Sequence, residues 1–363
     1  MKTLFAVCVL SLVAVSLFGQ APVVEQSATI SQASRKDFVS EASYVVGTYQ
    51  PASGDHSPQA MAEAANKFLA SLDADQRKRA VYELQSPERR DWTNLPPRPG
   101  AGGIRLGDLK VEQVKAACDL IAALLSPEGY RKVCNVMLAD DQLLSGGQAR
   151  QGFGTEQFSI VVFGTPSDTQ PWAFQLDGHH LGLNVSLTGE KLTLSPSFIG
   201  SQPEAFKLAG VEYRPLAGET DLAYLLMKGL SDEQKKQAIL RPRRAQLVTG
   251  PGADGVVPQP KGVSCATFSD EQKKTLIALI SQWIDIYPAK QAKAHLEQIT
   301  SELDKMSFSW NGPGADRADV SYTIQSPSLI IEFACQDLGG NPLNHLHTMY
   351  REPANEYAGQ LTK

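Results

Sequence analysis

Trp172-Ala173-Phe174-Gln175, followed by Gly178-His179-His180-Leu181-Gly182-Leu183-Asn184-Val185, decides how this chain folds. Polar and apolar residues alternate along it at a period of two between turn residues, the pattern of an antiparallel β meander. A second stretch repeats the arrangement: Val320-Ser321-Tyr322-Thr323-Ile324-Gln325 leads through Ser326-Pro327-Ser328 into Leu329-Ile330-Ile331-Glu332-Phe333. Trp172 and Asn184 are twelve residues apart, as are Val320 and Glu332. Phe163-Gly164-Thr165-Pro166 precedes the first copy and Trp310-Asn311-Gly312-Pro313 the second.

A helical signal recurs as well. An apolar residue followed at the third and fourth positions by an acid and a glutamine occurs at Leu72 to Gln76, Leu109 to Gln113, Leu230 to Gln234 and Phe268 to Gln272. This is a helix start: Asp73, Ser231 and Ser269 are suited to cap free N–H groups, the acid favours the first turn, and the leading Leu or Phe can staple the entry. In the second copy Lys110 occupies the capping position, which makes Asp108 the candidate cap. A longer helical stretch from Ser269 to about Lys305 is expected to break at Pro288. Together these signals predict an α+β fold of two pseudo-equivalent halves, residues 22–205 and 206–363, each with helices followed by an antiparallel β meander, within one compact unit. Arg89 to Leu106 and Thr249 to Gly262, rich in Pro and Gly, read as connections or binding loops.

The chain has 363 residues, 42% of them hydrophobic, with a net charge of −5. That balance argues against nucleic acid as the main partner, because phosphate binding needs a basic field. Arg89-Arg90 and Arg241-Pro242-Arg243-Arg244 are short basic clusters of the kind a solvated surface carries. At the start, Lys2, the apolar run Leu4 to Phe18 and the small residues Gly19 and Ala21 predict a cleavable secretory signal over residues 1–21 and a secreted or periplasmic location. The apolar run falls short of a membrane span and nothing downstream reaches one. Removing the signal takes Cys8 and leaves Cys118, Cys134, Cys265 and Cys335. In an oxidising compartment the expected pairing is Cys118 with Cys134 and Cys265 with Cys335; the alternative is four free buried thiols.

Four of the six histidines fall in two tight pairs, His179-His180 and His345-Leu346-His347. On a strand, His345 and His347 share a face roughly 7 Å apart, which suits one metal ion. His179 and His180 would face opposite ways unless the backbone turns, and Gly178 permits a turn. If the meanders meet, one of His179 or His180 joins the second pair, with Glu332 as carboxylate ligand or general base, a donor set for zinc, copper or iron. The competing reading is of strand-end histidines that merely hydrogen-bond to backbone. His295 is expected to be solvent-exposed, His56 to lie in a turn, and Asp140-Asp141 to be a solvated pair at a helix end, the alternative for the two acids being a ligand pair. Arg351 is a candidate to orient an anionic substrate group, or else a structural partner of Glu352 or Glu356. Arg89, Arg90 and Arg105 around Trp92 carry the same ambiguity. Nucleophile-elbow, phosphate-loop, zincin and dinucleotide motifs are absent from the sequence.

Glu88-Arg89-Arg90-Asp91-Trp92-Thr93-Asn94 with its Pro-rich continuation, Gly103-Ile104-Arg105-Leu106, the Trp172 to Asn184 segment, Pro196-Ser197-Phe198-Ile199-Gly200, and His345-Leu346-His347 with Tyr350-Arg351-Glu352-Pro353 and Asn355-Glu356-Tyr357 resemble the domain of unknown function 3500 family over nearly the whole mature chain. After Tyr357 the chain has Ala358 where the family pattern leads one to expect Gly. The resemblance implies an exported protein and transfers no catalytic assignment. The functional expectation is therefore a His-rich, metal-dependent hydrolytic or oxidative enzyme. Its metal ligands would be His179, His180, His345 and His347, and its catalytic groups Glu332 and Arg351. A small-molecule or glycan-like substrate would be bound by Arg89, Trp92, Arg105, Trp172, Asn184 and Tyr357. The alternative is a non-catalytic envelope or extracellular binding protein, in which the Pro/Gly loops with Trp92 and Trp172 form a recognition surface.

Overall fold

The computed structural model describes residues 33–52, 54–97, 102–145, 152–315, 317–338 and 340–359, so the expected signal segment lies outside the described residues. In chain order the elements are α1 (Glu41–Thr48), α2 (Pro58–Ser71), α3 (Ala74–Ala80), β1 (Val81–Tyr82), β2 (Ile104–Arg105), α4 (Val111–Leu124), α5 (Pro127–Ser145), β3 (Ser159–Phe163), β4 (Trp172–Gly178), β5 (Leu181–Thr188), β6 (Lys191–Thr193) and β7 (Ser197–Ser201). After these come β8 (Phe206–Leu208), β9 (Val211–Tyr213), α6 (Ala217–Gly229), α7 (Asp232–Ala238), β10 (Ile239–Arg241), β11 (Val263–Ser264), α8 (Asp270–Ile284), α9 (Ala289–Ser301), β12 (Ser307–Asn311), β13 (Ser321–Gln325), β14 (Ile330–Cys335) and β15 (Leu346–Arg351).

The period-two alternation sorts side chains onto two faces of one mixed sheet, with strand order β1-β3-β4-β5-β7-β15-β14-β13-β12-β10 and with β2 on β3, β6 on β5 and β11 on β12. The long strands pair antiparallel, while β1 on β3 and β10 on β12 run parallel. One face is apolar: Val162, Phe174, Leu183, Ile199, Ile331 and Tyr322 join Leu120, Ile121, Met137, Leu279 and Ile280 of the helices in a single core. This burial is the main stabilising term, at roughly 25 cal/mol per Å² of apolar surface removed from water. The other face is largely polar and is covered by loops. There Trp92 packs with Phe198, Met349 and Tyr357, and its indole lies on Gly182, where any Cβ would collide with the ring.

Three tetrads cap their helices as their residues predict, with reciprocal boxes at Asp73 and Gln76, Ser231 and Gln234, and Ser269 and Gln272. At the fourth, the Lys110 amide donates to Gln113 Oε1 at 2.8 Å, and Asp108 pairs with Arg79 and Arg105 instead of capping. The tetrad glutamines also meet in space. Gln76 and Gln113 exchange carboxamide hydrogen bonds, and so do Gln234 and Gln272. Pro288 separates α8 from α9, because its ring cannot continue a helix hydrogen-bond ladder.

The cysteines differ from the expected disulfides. Cys118, Cys134, Cys265 and Cys335 are free, buried thiols. Burial pushes Cys118 and Cys265 up to about 12 and Cys335 to about 11. A core of this size needs no covalent staple. Among the described residues no helix is long and apolar enough to cross a membrane.

Candidate metal centre

Gly178 pairs with Leu181, which leaves His179 and His180 as the two-residue turn between β4 and β5. Such a turn needs left-handed backbone, and His180 adopts it at φ 66°. The reversal thus occurs at the histidines and not at Gly178, whose place is set by the Phe158 ring, 2.7 Å from where a Cβ would stand. Both imidazoles leave the same end of the sheet.

β15 brings the second pair. His347 lies opposite Gly200 of β7, and the Gly200 N–H donates to the His180 carbonyl at 2.7 Å. A Cβ on Gly200 would stand 2.9 Å from His180 Cδ2 and 3.1 Å from His347 Cδ2, so this glycine makes room for both rings. His180 Nε2 lies 2.8 Å from His345 Nε2, which lies 3.0 Å from His347 Nε2. His345 Nδ1 is 2.6 Å from the Leu338 carbonyl; a carbonyl can only accept, so Nδ1 carries the proton and Nε2 is a lone pair. Burial, first, and the neighbouring imidazoles hold His180 and His347 well below the ordinary histidine range. Burial also lowers His345, partly offset by the Leu338 carbonyl.

His179 faces the other way, toward α5. Its Nδ1 bonds Asp140 Oδ1, while Asp140 Oδ2 accepts from the Gly154 N–H. The His179 ring lies 3.7 Å from that of His180, and Phe153 meets it edge-on at 4.7 Å. Two groups therefore have ligand atoms close enough to share an ion, His180 with His345 and His347, and Asp140 with His179 and His180. Asp140 and Asp141 are buried, not solvated. Asp141 is held by Ser43 and Thr155, and burial raises it to about 6. The signal for this was present: helical spacing stacks Asp140 on Val136 and Met137, an inward face.

Glu332 is placed differently from its expected role. It lies opposite Met349, two residues along from the Ala334–His347 pair, and its carboxylate accepts from the Val248 and Thr249 amides and the Thr249 hydroxyl. It anchors a loop, and Asp140 is the carboxylate that touches the histidines. Arg351 is fully buried, bonded to the Thr249 and Gly250 carbonyls and to Glu356, the structural alternative for this residue.

The expected substrate-binding residues do not form one surface. Arg89 is buried, bonds Ser186 and the Tyr357 carbonyl, and is lowered to about 10 by burial. Trp92 donates to the Tyr357 hydroxyl, and that hydroxyl donates to Asp254. Asn184 accepts from Gln175 and donates to the Pro196 carbonyl. Trp172 is in the core, and Arg105 is an exposed partner of Asp108. His56 bonds the Ala123 carbonyl, and His295 is part-buried against Tyr287, with Nδ1 3.7 Å from Glu352. A long charged or aromatic side chain reads as surface in sequence, but a sheet face roofed by loops can bury it.

Residues 55–359 match a family described as protein of unknown function (DUF3500). No curated protein and no solved structure matches the chain.

Proposed function

We propose, for a chain that belongs to the DUF3500 family of proteins of unknown function, a metal-dependent hydrolase whose ion is held by His180, His345 and His347. The convergence of three Nε2 atoms carries this reading. The His345 Nε2 lone pair has two imidazole nitrogens at hydrogen-bond distance and can accept from only one. A cation shared by three lone pairs removes the conflict. Ligands on one tetrahedral ion at ~2.0–2.1 Å stand about 3.3 Å apart, so His345 needs to part from each of its two neighbours by only about half an ångström or less. Zinc fits the donor set; copper and iron also accept it.

His180, His345 and His347 would hold the ion as neutral imidazoles, and its unneutralised charge would supply water activation near neutral pH. Asp140, fixed by Gly154, orients His179 with its Nδ1 proton inward and leaves its Nε2 as a base beside His180. This pair has a task in moving a proton from water and none in electron transfer, which favours hydrolysis over the oxidative reading. Arg89, Trp92, Asn184 and Tyr357 brace the loops around the centre.

The protein in this reading is exported, and its two halves are pseudo-equivalent. The matched glutamine pairs and the mirrored strand order β3-β4-β5-β7 and β12-β13-β14-β15, meeting at β7 and β15, support the second point. The test is metal content. Protein purified without chelators, or titrated with zinc or cobalt, carries one ion per chain, and His345→Ala and His180→Ala each lose it. No stoichiometric binding of zinc, cobalt, copper or iron, or binding indifferent to both substitutions, overturns the proposal.

A further inference from the structure

The polar face of the sheet is filled along its first half. Arg89 reaches Ser186, Trp92 lies on Gly182, and Tyr82 and Leu84 cover Val161, Phe163 and Ala173. Over β12 and β13 the same face is left open. Residues 240–261 arch above it and enclose a groove of about 460 Å³. The arch is tied down at several points: the Ala245 N–H donates to Ser321 Oγ, Gln325 Nε2 to the Pro258 carbonyl, and Val248 and Thr249 to Glu332.

The floor is polar throughout. Register pairs Ser307 with Gln325, Ser309 with Thr323 and Asn311 with Ser321, so six small hydroxyl and carboxamide side chains stand side by side. Among the described residues the hydroxyls of Ser307, Ser309 and Thr323 find no protein partner, although Ser309 is only 5% exposed. None of these three oxygens is a fully buried unpartnered atom, so they face the space of the groove, where water or a ligand reaches them. Arg241 and Lys261 line the same groove with no carboxylate partner among the described residues, whereas Arg244 is held by Asp319 and Asp337.

We infer that this groove binds an anionic saccharide. Hydroxyls both donate and accept, and a row of them matches the adjacent hydroxyls of a sugar ring. Two unpaired cations at the rim suit a uronate, sulfate or phosphate substituent. The floor carries hydroxyls and carboxamides, while Leu240, Leu247, Val248 and Pro258 of the arch supply an apolar side against which the C–H face of a sugar ring can lie. A peptide would seek an open strand edge, but β12 and β13 are each paired on both sides. The groove shares no residue with the histidine centre, so the inference stands whether or not that centre holds metal.

Titration calorimetry of the full chain with trigalacturonate and with neutral maltotriose tests it. Saturable one-to-one binding of the uronate is expected. The double variant Arg241→Gln, Lys261→Gln should weaken it at least about tenfold, and Ser309→Ala by several-fold, as lost ligand hydrogen bonds require. His345→Ala should leave it unchanged. Failure of trigalacturonate, a sulfated disaccharide and a sugar phosphate all to bind overturns the inference. So does binding insensitive to both groove variants, or equally tight binding of polyglutamate, which would reduce the groove to a charged patch.

Discussion

His180 and His345 bring their Nε2 atoms to 2.8 Å across 165 residues of sequence. In a centre built this way, metal binding and folding are linked. Zinc at a hundredfold excess over its Kd should stabilise the protein by about 2.7 kcal/mol. The shift should vanish in His345→Ala, read as Tm with and without zinc. An equal shift in the variant would mean the ion sits elsewhere.

His179 is expected to act beside the ion and not to hold it. His179→Ala should therefore keep one metal per chain, while turnover of an activated ester by the metal-loaded protein falls about a hundredfold, the usual scale of general-base catalysis. Loss of the metal in this variant would make His179 a ligand.

Gly200 has no space for a side chain, with the Leu346 carbonyl 2.8 Å from where a Cβ would stand and two imidazoles beside it. Gly200→Ala should cost about 1–3 kcal/mol and displace both rings, weakening metal affinity. Urea unfolding of the metal-free variant separates the two effects. An affinity equal to the parent's would show that the rings do not depend on this contact.

Asp177 is pushed up from 3.8 to about 6, chiefly by burial, against the lowering bonds from Ser159 and the Thr93 amide. Between those values the folded state keeps a proton that the unfolded state releases. This group's contribution therefore favours folding at acid pH and declines as pH rises from about 4 to about 6, by roughly 3 kcal/mol. Comparing the stability of parent and Asp177→Asn across that window isolates the slope, which should appear in the difference between them. A flat difference would show that the carboxyl ionises normally.

The four thiols are buried and held in their protonated form. A disulfide reagent should label none of them in the native protein and all four after unfolding, and reductant should leave Tm unchanged. A drop in Tm on reduction would point to the disulfide pairing instead.

Much of the fold was legible because its signals are local. Alternation between Trp172 and Val185 specifies strands, and Asp73, Ser231 and Ser269 open helices through contacts within four residues. Pro288 ends a helix whatever surrounds it. The site was legible only in part. Two histidine pairs can be seen in the sequence, but His179 and His180 form a turn, so their directions could not be taken from strand geometry. Cys118 and Cys134 were equally ambiguous, since neighbouring helices bring thiols close to each other whether or not they bond.

Sequence by itself determined the element types, the apolar face each strand buries, and the two histidine pairs as candidates for a site. Tertiary structure decided which carboxylate touches them. Glu332 and Asp140 were both available, and the choice rests on strand register and helix docking, with Glu332 opposite Met349 and Asp140 reaching the β4–β5 turn from α5. The physical reason is range. Backbone propensity and capping act over a few residues, whereas the pairing of β7 with β15 joins segments about 150 residues apart, and burial of the whole core selects it.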